Sequence, residues 1–139
     1  MFVTPGNGQG NGTILIAGAI GDFGTTRSFH IHGQTFAYAT LQHGKIEFNL
    51  TKISSKTNVS PKIDAATCSA AISVSAPVSV VGGTGLYKGV HGTIHLTESF
   101  GFIGSTYKSG AKKGQCNMSN SAPNVAQVGN VHGTGTVSF

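Results

Sequence analysis

Alternation of apolar and polar residues at a period of two runs along most of this chain. From Lys45 to Ile53, Ile46, Phe48 and Leu50 fall on one side, with Lys45, Glu47, Asn49 and Thr51 on the other. Cys68 to Val81 repeats the pattern with Ala70, Ile72, Val74, Ala76, Val78 and Val80 against Ser73, Ser75 and Ser79; Pro77 marks an edge, a bulge or a break. Gly92 to Ile103 sets Ile94, Leu96, Glu98, Phe100 and Phe102 on one face, and Val125 to Phe139 alternates throughout. Thr25 to His32 separates Arg27, Phe29 and Ile31 from Ser28, His30 and His32, while Thr13–Ile20 and Thr35–Leu41 are β-branched or short apolar runs. A period of two is the signature of half-buried strands. No apolar spacing of 3.6 residues persists for three turns, so the chain reads as all-β.

Turn signals separate these runs. Gly21-Asp22, Gly33-Gln34 and Gln42-His43-Gly44 are short breaks, and 54–66 and 104–122 are longer polar connections. Residues 1–12, rich in Gly, Asn and Gln, are expected to be a flexible lead-in, followed by one domain from 13 to 139. About eight sequence-adjacent strands can bury their edges by curling into an antiparallel up-and-down barrel, with a two-sheet sandwich as the alternative. Glycines among the valines of the last segment suit a curved closing strand.

Charge adds little. Nine basic and four acidic residues give a net charge of +5. The basic residues are scattered from Arg27 to Lys113 without interleaved aromatics, which argues against a nucleic-acid groove. The longest apolar run, Ile14 to Ile20, is too short to span a membrane. Low charge, abundant Ser, Thr and Gly, and just two cysteines, Cys68 and Cys116, suit an extracellular protein with one disulfide, its leader lying outside this sequence.

The densest cluster of glycines, Val80 to Leu96, superficially resembles a phosphate cradle. Gly83-Thr84-Gly85-Leu86-Tyr87-Lys88-Gly89 is one residue too long for the dinucleotide fingerprint, and Gly89 and Gly92 oppose the helix such a site needs. A connection between antiparallel strands fits better. Gly82-Gly83-Thr84-Gly85-Leu86-Tyr87-Lys88-Gly89-Val90-His91-Gly92-Thr93 resembles the glycine-rich segment of the dirigent and allene oxide cyclase barrel superfamily. The likeness extends loosely to Gly12-Thr13-Ile14 through Gly24-Thr25 and to His132–Val137, and the two cysteines resemble small secreted actinobacterial members. It implies an eight-stranded barrel holding a small apolar or aromatic ligand, a cyclase-like or stereo-directing activity, and a homo-oligomer, often a trimer. No cofactor is implied, and the family's polar cavity residues do not align here.

Glu98 is the candidate acid or base, because its register places a carboxylate on the apolar face of its strand. Phe100 and Phe102 share that face, and Tyr38 and Tyr87 are further candidates to line a ligand pocket or close its mouth. Asp22 and Asp64 fall in turns, where Asx capping is expected. His30 and His32 share a strand face, and His91 and His95 share another with His132 opposite. Yet the barrel metal pattern needs an acid where Phe36 and Ala37 stand, so no metal site is assigned. No Ser-based nucleophile motif occurs. The alternative to a ligand-binding barrel is a non-enzymatic extracellular structural or self-assembling protein, with its interior filled by side chains.

Overall fold

Eight strands close into a barrel in which every strand pairs antiparallel with its sequence neighbour and the last returns to the first. In the computed structural model the described residues are 1–5, 11–57, 61–117, 119 and 121–139. The strands are β1 (Phe2–Pro5), β2 (Asn11–Ile16), β3 (Asp22–Ile31), β4 (Gln34–Leu41), β5 (Gly44–Asn49), β6 (Ser69–Gly83), β7 (His91–Gly104) and β8 (Asn124–Ser138). Helix α1 (Thr51–Thr57) follows β5, and a single 3-10 turn (Gly85–Tyr87) joins β6 to β7.

The barrel is the expected one, and three of its elements differ from the expectation. Phe2–Pro5, expected in the lead-in, is the strand that closes the barrel: Phe2 pairs with both Leu15 and His132. Without it β2 and β8 would each present an open edge. Asn11 and Gly12 belong to β2, and the remainder of that lead-in, 6–10, lies outside the described residues. β2 stops at Ile16 rather than Ile20, and Gly18 beyond it adopts φ 91°, outside the strand region. The run expected to be strand as far as Ile53 turns into α1 after Asn49, whose Oδ1 accepts from the Thr51 N–H at 3.0 Å.

Alternation is borne out along the long strands. Ala70, Ala76, Val78, Val80, Ile94 and Leu96 are buried, and the Ser73–Ser99 and Ser75–Thr97 hydroxyl pairs bridge β6 and β7 on the outer face at 2.9 and 2.7 Å. Pro77 does not break β6. It pairs with His95 of β7 where β5 has already ended, so its missing N–H leaves no ladder bond unmade on that open side. Helix α1 lies against this stretch of β6, and Lys56 Nζ donates to the Ser75 carbonyl at 2.8 Å. β6, β7 and β8 run on past the barrel as a three-stranded extension. The Cys68–Cys116 disulfide, with Cα atoms 5.4 Å apart, ties the loop after β7 to the start of β6.

Candidate functional site

One end of the barrel is solid. Ile16, Ala39, Leu41, Ile46, Val78, Val80, Val90 and Ile94 fill it, and Tyr87 closes it from the 3-10 turn. This is what the glycine-rich stretch builds. A Cβ at Gly83 would lie 2.3 Å from the Tyr87 carbonyl oxygen, and one at Gly85 the same distance from that of His43, so the turn folds flat over the barrel end only with glycine there. Gly82, by contrast, has open space around its would-be Cβ.

Asp22 is the polar pin of that closed end. Its carboxylate accepts from the N–H of Phe23 at 2.7 Å, of Gln42 at 3.3 Å and of His43 at 3.2 Å, from the His43 ring at 3.1 Å, and from the Tyr87 hydroxyl. Burial works against the charge, but these donors, Tyr87 foremost, outweigh it and hold the carboxyl far below the ordinary range. Burial and the facing Asp22 charge push the Tyr87 phenol up to about 12. The cluster therefore joins three connections, β2–β3, β4–β5 and β6–β7, in one hydrogen-bonded knot. Asp22, expected to cap a turn, instead opens β3 and accepts locally only from the Phe23 N–H; its other donors come from residues 20 to 65 positions away. Nothing near Asp22 in the sequence announces them.

The other end is hollow. An eight-stranded barrel is just wide enough for side chains to fill it. Here β3 and β4 contribute only Thr26, Ser28 and Ala37 at this level, facing Ile14, Phe48, Leu96 and Val131. Small residues on one wall leave a cavity of about 180 Å³, open on one side among the described residues, with Met1, Val3, Leu50 and Ile53 completing its apolar lining. Above it a polar mouth of about 540 Å³ is lined by Ser28, His30, Thr35, Thr51 and Ser54, between the β3–β4 hairpin and α1.

Glu98 borders both spaces. β7 carries it inward, between Val74 of β6 and Val131 of β8 in register. It makes no side-chain hydrogen bond or ion pair among the described residues, and burial pushes its carboxyl above the usual range. Among the residues lining the apolar cavity it is the one acid. The other candidates lie elsewhere. Tyr38 is on the outer wall, stacked on Phe29 with centroids 4.9 Å apart, because β4 buries Thr35, Ala37, Ala39 and Leu41 and turns its even positions out. Tyr87 serves the closed end, and Phe100 and Phe102 share the parity of Glu98 but sit on the extension beyond the cavity, their centroids 6.0 Å apart. The lining side chains that were not site candidates in the sequence, Ser28, Ala37 and Leu96 among them, carry no motif; only the inward parity of their strands marks them.

The histidines are not assembled into a cluster. His30 Nδ1 lies 3.0 Å from the Thr35 hydroxyl, His32 occupies the β3–β4 turn at φ 47°, and His91 Nδ1 donates to the Gly89 carbonyl at 2.9 Å. Among the described residues no three His, Cys, Asp or Glu side chains are grouped to hold a metal ion. No described helix is long and apolar enough to cross a membrane.

No protein-family model matches the chain, and neither a curated protein nor a solved structure matches it.

Proposed function

We propose that this is an extracellular barrel of the dirigent and allene oxide cyclase kind that binds a small apolar or aromatic molecule in its half-open lumen. One observation carries the reading: the packed floor gives way to an apolar cavity of about 180 Å³ whose single acid, Glu98, has no protein partner among the described residues. A preformed apolar pocket with few polar groups and one perturbed carboxyl is the usual form of a small-molecule site. Dry cavities of about this size take up molecules as large as benzene. A carboxyl held above its usual range can give and recover a proton at a bound ligand, which a ring-forming or isomerising activity requires. The disulfide supports an extracellular setting.

Self-assembly is the second reading, and a different feature favours it. Phe2, Leu15 and Phe23 stand side by side across β1, β2 and β3 on the outer wall, each more than half exposed. A contiguous apolar row of this kind suits a contact between copies. Native mass spectrometry addresses both readings. We expect a co-purifying or added small apolar molecule to appear as an adduct on the protein and to vanish in Ser28→Phe, which fills the cavity from its thin wall. Adducts unaffected by Ser28→Phe, or none at any ligand concentration, would refute lumenal binding, and a strictly monomeric spectrum would refute assembly.

A further inference from the structure

Glu98 marks the height at which the lumen changes character. Below it the walls are Ile14, Phe48 and Leu96; above it they are the hydroxyls of Ser28, Thr35 and Thr51 and the ring of His30. Its in-register neighbours on the inner face are Val74 and Val131, so neither flanking strand offers it a donor. Among the described residues no lysine or arginine lines either space, although the chain as a whole carries +5. Glu98 is, among the described residues, the one charged side chain that borders the apolar cavity.

We infer that the lumen selects molecules joining a compact apolar or aryl body to an amine head, with the body in the cavity and the ammonium against Glu98. The inference rests on the lumenal reading above. A carboxylate beside apolar walls is costly to ionise without a partner, and an incoming ammonium supplies that partner. An ammonium carries three donors and no acceptor. One donor meets Glu98, and the others reach the hydroxyl oxygens of the mouth, of which Ser28 borders the same cavity as Glu98. An alcohol of the same shape offers Glu98 one O–H donor but no compensating charge, whereas the ammonium brings both. A carboxylate ligand faces like charge and finds no cationic side chain to offset it. The body is limited by volume to about one aromatic ring with a short arm.

The test compares four probes that share one ring: toluene, benzyl alcohol, benzylamine and benzoate. Each is titrated at pH 7 into the intact, oxidised protein by calorimetry and by amide chemical shifts. Benzylamine is expected to bind at least tenfold more tightly than benzyl alcohol or toluene, and benzoate not detectably. Glu98→Gln should bring benzylamine down to the level of benzyl alcohol while leaving toluene unchanged. The comparison among probes on the parent protein stands even if that variant folds poorly. Equal affinity for benzylamine, benzyl alcohol and toluene would overturn the amine selectivity and leave the lumenal reading intact. Failure of all four to bind would overturn both.

Discussion

Two inward-facing carboxylates, Asp22 and Glu98, occupy opposite electrostatic environments in this barrel. Asp22 gathers donors from Phe23, Gln42, His43 and Tyr87 and keeps its charge; Glu98 gathers none and resists ionisation. Their effects on stability run in opposite senses. For Asp22 the folded carboxyl titrates below its ordinary value of 3.8, so its contribution is present above that pH and is lost as the pH falls. For Glu98 the folded carboxyl titrates above its ordinary value of 4.5, so stability is fully present below 4.5 and declines as the pH rises through the folded value. Glu98→Gln should therefore melt a few degrees above the parent at pH 7 and together with it near pH 3, followed by thermal circular dichroism. A lower melting temperature for Glu98→Gln at pH 7 would show that the carboxylate is satisfied after all. The closed end makes its own prediction. One tyrosine should ionise only near pH 12 in an absorbance titration, and Tyr87→Phe should remove that step while lowering the melting temperature. The sequence revealed that Glu98 points inward, because parity alone decides that. It did not reveal the Asp22–Tyr87 pair, because 65 residues separate partners that only barrel closure brings together.

At the scale of elements, the long strands were legible and the short ones were not. β6, β7 and β8 carry enough repeats of the two-residue pattern for face and register to follow from it. β1 offers only Phe-Val-Thr-Pro beside a glycine- and asparagine-rich segment, and its strand state comes from the two neighbours that need it rather than from its own pattern. α1 has a single buried residue, Ile53, so no helical stripe betrays it; the Asn49 cap and the fit against β6 set it in place. The inward face of β4 is hidden in the sequence for a related reason: the strand is apolar on both faces, with Phe36 and Tyr38 outside and Ala37 and Ala39 inside. Position also decides what the disulfide does. Cys68–Cys116 closes a span of 48 residues but lies beyond the cavity, at the far end of the extension. Replacing both cysteines by serine should cost about 2–4 kcal/mol of unfolding free energy in denaturant titrations. Affinity for a lumenal ligand should change less than twofold, and a larger loss would mean that the extension shapes the lumen.

Among the described residues the barrel is sealed at one end and open at the other. Its asymmetry traces to side-chain size: branched and aromatic residues meet over the floor, whereas Thr26, Ser28 and Ala37 leave one wall thin above it. The glycine-rich stretch builds the seal, and the strand it launches carries Glu98 to the hollow end. The fold class follows from alternation, and the hollow follows from which inward positions are small, a property visible only once strands face one another across the lumen. The outer wall, with its Phe2, Leu15 and Phe23 row, is a separate feature and does not touch that space. The central claim is that the hollow accepts an apolar molecule. Its most direct test is a crystal of the protein pressurised with xenon, which enters dry apolar cavities. The account predicts one strong xenon site among Ile14, Ala37, Phe48 and Leu96, below Glu98; a lumen that takes up no xenon while sites appear elsewhere on the protein would contradict it.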